Sequence, residues 1–171
     1  MSLQSAEAEP PPHVALYLAG ATAEAAEFGF LVGEWSVEGQ RGDGFRYQAR
    51  WRAEYLHERR FVLDDFTFLS PSGEELSAFV TLRTFAPTSR RWEIAGLAAL
   101  LPGLNGQWNG RAVGDEMHLE AEFRMPDGAI ARQRERFYDI AADSFRWESL
   151  DSRDDGQTWS RNSALTARRV G

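Results

Sequence analysis

Between Gly44 and Tyr55 the sequence alternates without a break: Phe45, Tyr47, Ala49, Trp51, Ala53 and Tyr55 are separated by Arg46, Gln48, Arg50, Arg52 and Glu54. Successive side chains of a strand point to opposite faces, whereas a helix repeats every 3.6 residues, so this run reads as a strand with one apolar face. Similar segments follow to the end of the chain, each closed by turn residues such as Gly42-Asp43, Pro71-Ser72-Gly73, Pro126-Asp127-Gly128 and Asp154-Asp155-Gly156. The pattern predicts strands over 34–41, 44–56, 59–70, 74–86, 91–99, 106–113, 115–125, 129–140, 145–152 and 157–168.

Ten consecutive strands joined by tight turns form a meander whose outer strands would be long open edges, and closing the sheet removes them. The expected fold is therefore all-β: a single closed antiparallel up-and-down β-barrel of about ten strands with a short N-terminal helical segment. Residues 1–13, acidic and ending in a proline run, read as a disordered arm, and 14–171 as the barrel domain. Ala-rich residues 14–28 fit one or two short helices, with Thr22 as an N-cap. A START-like fold would end in a long helix, and a fatty-acid-binding-protein fold would insert two helices after its first strand. Neither pattern is present.

Composition narrows the function. A net charge of −7, with no basic run, opposes nucleic-acid binding, which needs a positive field. The chain has no Cys, which excludes disulfides and thiolate chemistry. No stretch has the roughly 18–20 apolar residues of a membrane span, and the start lacks the order of a signal peptide. A cytoplasmic protein is expected, with no nucleic-acid or membrane partner. Six Trp and eleven Phe in 171 residues point to a fold that turns large side chains toward one face.

Two turns set the direction of the inner face. Pro126-Asp127-Gly128 fits a three-residue hairpin loop. It places Glu122 opposite Arg132, Glu120 opposite Arg134 and His118 opposite Arg136 on the solvent side. Gln133 and Glu135 then point inward. The same treatment of Pro71-Ser72-Gly73 pairs Val62, Asp64, Phe66 and Phe68 with Leu82, Val80, Ala78 and Leu76, and turns Asp64 inward. An inward carboxylate must be solvated, paired or neutral. An inward Arg such as Arg60 or Arg161 would pair with Asp64 or Glu135, unless the register lies one residue away.

The segment Phe28–Gly39, FGFLVGEWSVEG, resembles the opening strand of the calycin superfamily, the lipocalin and nitrobindin-like barrels that begin with Gly-x-Trp. With the late Ser-x-Asp-Asp-Gly-x-Thr-Trp hairpin, the chain is similar over residues 28–169 to a bacterial family of lipocalin-like barrels. The resemblance implies that Trp35 plugs one end, that Gly33 allows close approach, and that Arg168, or its neighbour Arg169, covers the indole. Nitrobindin-like barrels hold haem through a His on a late strand; here the His residues are His13, His57 and His118, so no haem is expected, and no metal site either. Ser152–Trp159 also matches the Asp-box of sialidase propellers, where it is a folded hairpin.

The leading functional expectation is a binding protein that holds a small, mainly apolar ligand and needs no cofactor. Tyr47, Trp51, Tyr55 and Trp147 form its aromatic walls, and Asp64, Gln133, Glu135 and Arg161 its polar groups. The alternative is an enzyme of isomerase or cyclase type, known in related barrels, with Asp64 or Glu135 as general base. A third reading takes the apolar run Leu97–Leu104 as an interaction patch, and a homodimer is left open.

Overall fold

The computed structural model describes residues 9–99, 106–124 and 128–171. Helix α1 (Pro12–Leu18) and two single-turn 3₁₀ helices, Ala23–Ala26 and Gly29–Leu31, precede ten strands. These are β1 (Gly33–Arg41), β2 (Arg46–Leu56), β3 (Phe61–Leu69), β4 (Glu75–Ala86), β5 (Arg91–Ala98), β6 (Gly106–Val113), β7 (Glu116–Arg124), β8 (Ile130–Tyr138), β9 (Ser144–Ser152) and β10 (Ser160–Arg169). Each strand pairs antiparallel with its sequence neighbours, and β1 pairs with β10 to close the barrel. Helix α1 starts at Pro12, inside the expected arm. Thr22 stands directly before the first 3₁₀ turn, but its side chain makes no capping bond. Among the described residues no single helix is long and apolar enough to cross a membrane.

The antiparallel meander gives the barrel two unlike ends. At the end where β1 begins, Phe28 and Leu31 enter the bore and are fully buried with Trp35, Trp92, Phe137 and Phe145. The rings meet edge to face: Phe28 with Trp92 at 4.8 Å, Trp35 with Phe145 at 4.8 Å, and Phe30 with Phe145 at 5.5 Å between centroids. Burying this much apolar surface is the main force that draws the 28–31 segment into the bore. Polar edges are satisfied within the plug. The indole N–H of Trp35 donates to Leu31 O at 2.7 Å, and that of Trp92 to Glu27 Oε2 at 2.9 Å.

An Arg covers Trp35 as expected, but it is Arg169 and not Arg168. Inward residues of β10 fall on odd numbers (Ser163, Leu165, Ala167), so Arg169 continues the inner row and Arg168 points to solvent. The Arg169 guanidinium donates to Val32 O at 3.0 Å, Phe30 O at 3.4 Å and Ala142 O at 2.9 Å. Gly33 makes room for it: its φ is +128°, and a Cβ there would collide with Arg169 Nη1.

The β7–β8 rungs match the expected register, with Glu135 opposite Leu119 and Gln133 opposite Ala121. Pro126 and Asp127 of the turn lie outside the described residues, as do positions 100–104 of the apolar run. On the outer face Glu122 pairs with Arg132 at 2.9 Å and Glu120 with Arg134 at 3.9 Å.

The β3–β4 register differs. Leu69 faces Glu75, the expected rung, but a bulge follows and Phe68 then faces Ser77. One extra residue in β4 flips every later side chain to the other face. Leu82, Val80 and Leu76 therefore point outward, and Ser77, Phe79, Thr81 and Arg83 point into the barrel. Asp64 remains inward, 2% exposed, but faces Thr81 instead of Val80. A second bulge, between Arg161 and Ser163 in β10, turns Arg161 to the outer surface, where it approaches Glu148.

Candidate functional site

The plug fills only one half of the bore. Above it lies a cavity of about 1400 Å³ that opens at the end carrying the β1–β2 and β3–β4 turns. Eight-stranded barrels leave room for roughly one small ligand, and ten strands enclose a wider bore. The volume exceeds the roughly 300–1,000 Å³ of ordinary small-molecule pockets.

Aromatic side chains make its walls. Tyr47, Phe66 and Phe68 come from β2 and β3, Phe79 from β4, Trp108 from β6, Phe123 from β7 and Trp147 from β9. Local sequence makes room for them. A Cβ at Gly39 would collide with the Tyr47 ring, so glycine lets Tyr47 lie across β1 and bring its hydroxyl within 2.9 Å of Ser163 Oγ. Trp108 lies in the same way over Gly96 and Gly106.

The floor is charged. Arg83 and Asp64, 5% and 1% exposed in their side chains, form an ion pair from adjacent strands. Asp64 Oδ1 also accepts the Trp51 indole N–H at 2.7 Å, and the Arg83 guanidinium lies 5.1 Å from the centre of the Phe28 ring. Burial pulls the Arg83 guanidinium down to about 9, which leaves it charged at neutral pH. The pair therefore joins floor to plug, and its carboxylate has the partner that burial demands.

Glu135 on β8 is the second acid. It sits deep in the barrel yet keeps surface open to the cavity. Burial pushes its carboxyl up to about 7; the Trp147 indole N–H, donating at 3.2 Å, and the charge of Arg83 pull the other way, while Asp151 adds to the rise. Beside it, Gln133 accepts the Trp108 indole N–H at 2.9 Å and donates to Asp151 at 3.0 Å. Ser149 stands directly opposite Glu135 on β9, 1% exposed, and its Oγ has no hydrogen-bond partner among the described residues.

Of the residues expected from sequence at the interior site, Tyr47, Trp51, Asp64, Gln133, Glu135 and Trp147 line this cavity. Tyr55 and Arg161 do not. Tyr55 faces inward at the plugged end, with its hydroxyl against Gly29, and Arg161 is outside. Arg83, Thr81, Trp108 and Ser149 are the residues that sequence reasoning missed. For Arg83 the signal was ambiguous, since both faces of β4 carry apolar residues. The late hairpin is a scaffold: Asp154 accepts Thr158 Oγ1–H at 2.5 Å, Thr158 N–H at 2.9 Å and Ser152 Oγ–H at 2.7 Å, and these bonds hold its carboxyl down to about 2.

No family model and no curated protein matches the sequence. Solved structures do resemble the fold. Rv2717c from M. tuberculosis is 15% identical with a TM-score of 0.62, over 88% of this chain and 99% of that one. An S-type phycobiliprotein lyase from Guillardia theta is 14% identical with a TM-score of 0.52, over 88% and 98%. At such identity the likeness is one of fold, a β-barrel spanning nearly the whole of each neighbour.

Proposed function

We propose that this chain is a lipocalin-like binding protein that holds one small, mainly apolar ligand inside the barrel. The observation that carries the reading is the half-filled bore: an aromatic plug at one end and about 1400 Å³ of open, aromatic-walled space at the other. A barrel needed only for stability would fill that space, because interiors pack to crystal-like density. The few polar groups at the floor would set ligand orientation, as in other pockets.

The test is titration with a neutral apolar fluorophore, N-phenyl-1-naphthylamine, read by its own emission and by tryptophan quenching. One equivalent should bind with a dissociation constant on the order of micromolar. Ser77→Trp, on the inner face of β4 near the mouth, should weaken binding with the fold intact. Absence of saturable binding, or binding indifferent to Ser77→Trp, would overturn the reading.

One observation favours a catalytic alternative, an isomerase or cyclase type of reaction. A carboxyl brought to about 7 in a cavity has the acidity suited to a general base at neutral pH. The likeness to a protein named as a lyase is a likeness of fold and assigns no chemistry. Turnover of a bound carbonyl compound, lost in Glu135→Gln while its binding persists, would establish this reading over simple binding.

A further inference from the structure

In and beside the cavity, below the rim residues Glu38, Arg41 and Arg46, the carboxyl and guanidinium side chains among the described residues are Asp64, Glu135, Asp151 and Arg83. Three carboxylates stand against one guanidinium, and that guanidinium is engaged by Asp64. Asp151 is held by Gln133. Glu135 makes no salt bridge within 4 Å among the described residues; it shares the more distant charge of Arg83 with Asp64, and burial works against its own charge.

The groups around Glu135 share one character. Ser149 Oγ, buried and without a partner, is a ready acceptor directly across the β8–β9 ladder. Trp147 donates its indole edge to the carboxylate, and Trp108 stands beside it through Gln133. A carboxylate short of counter-charge is a favourable setting for a cation through Coulomb attraction in a poorly solvated space, and a cation that reaches an indole face, away from the N–H edge, gains from the ring quadrupole as well. An anion there would meet Glu135 and Asp151 with no free guanidinium. A bare metal ion would need a cluster of ligating side chains, and no group of three His, Cys, Asp or Glu among the described residues could hold one.

We propose that Glu135 and Ser149, beside the Trp108 and Trp147 indoles, form a seat for the protonated amine, or other small organic cation, of a ligand whose apolar body fills the aromatic part of the cavity. The proposal rests on the ligand-binding reading above and names the class of ligand. It also makes binding depend on pH. The charged groups facing Glu135 are Arg83 from β4, itself engaged by Asp64 of β3, and Asp151 from β9, while β7 contributes the apolar Met117 and Leu119. Glu135 itself changes charge near neutrality. Cation affinity approaches its full value about one pH unit above 7 and falls through 7 as the carboxylate protonates.

Three naphthalenes of matched size test this: 1-naphthylmethylammonium, 1-naphthalenemethanol and 1-naphthoate. Near pH 8 the ammonium compound should bind about tenfold tighter than the alcohol, and the naphthoate should bind weakest. Near pH 5.5, where the amine is still protonated, the advantage should shrink to about threefold or less. Glu135→Gln should abolish the advantage of the ammonium compound over the alcohol at both pH values. Ser149→Ala should weaken the ammonium compound alone, and with the wild-type pH profile it decides the matter if Glu135→Gln does not fold. Equal affinities, a preference for naphthoate, or a cation preference that survives Glu135→Gln overturns the proposal and leaves the binding reading standing. Failure of all three to bind overturns both.

Discussion

The guanidinium carbon of Arg169 lies 4.1 Å from the centre of the Trp35 ring, and the two residues are direct partners across the β1–β10 seam. The contact therefore exists only when the barrel is closed. Arg169 also ties the last strand to the plug through Val32 and Phe30, so one side chain joins closure of the sheet to closure of the end.

Arg169→Met should cost about 2 kcal/mol, the sum of a cation–π contact and carbonyls left to water. Arg169→Lys should not restore it, because an ammonium cannot fork among three carbonyls. Arg168→Met should stay within about 0.5 kcal/mol, as exposed positions do. Urea melts of the three variants check the assignment, and equal losses at 168 and 169 would refute it.

Asp64→Asn should destabilise the protein by about 3–5 kcal/mol, because it leaves Arg83 charged and unpaired in the floor. Adding Arg83→Met should recover most of that loss, since a packed apolar pair often matches a buried ion pair. Thermal melts of the single and double variants provide the check. A double variant no better than Asp64→Asn would mean the two residues do not act as a pair.

Glu135 gives stability a pH slope of definite sign. Its carboxyl is raised from 4.5 to about 7 in the folded state, so between those values the folded protein holds a proton that the unfolded chain has released. Stability therefore falls as pH rises through this window, by at most about 3 kcal/mol, and levels off above it. Glu135→Gln should remove the slope, matching wild type near pH 4.5 and exceeding it near pH 8. Asp154 works in the opposite sense: held down to about 2, its contribution is present above the usual carboxylate range and is lost as pH falls toward 2.

Glu122→Gln, on the outer face, should change stability by under about 1 kcal/mol even though Arg132 lies 2.9 Å away, since both side chains are well exposed. Chemical denaturation alongside Asp64→Asn shows the contrast between an acid in water and an acid in the floor. A comparable loss in both would contradict the inward and outward assignments.

Much of the fold and part of the site were legible in the residues. The alternation from Phe45 to Tyr55 predicts the strand and its inner face, because which side a residue takes depends only on its neighbours along the chain. The β7–β8 pairing was readable because oppositely charged residues line up at one register, and it placed Gln133 and Glu135 correctly inside. The leading Gly-x-Trp segment pointed to the plug.

What the chain alone did not determine lies past a bulge or across the bore. One extra residue after Phe68 turned β4 over and exchanged Leu82 for Arg83, and another before Ser163 sent Arg161 outside. Neither bulge leaves a mark in the alternation, since each is a response of the strand to its neighbour's twist and packing. The partnership of Asp64 with Arg83 and the burial that pushes the Glu135 carboxyl up to about 7 belong to the closed barrel. They depend on which groups meet in three dimensions and how far they stand from water, and a one-dimensional pattern records neither.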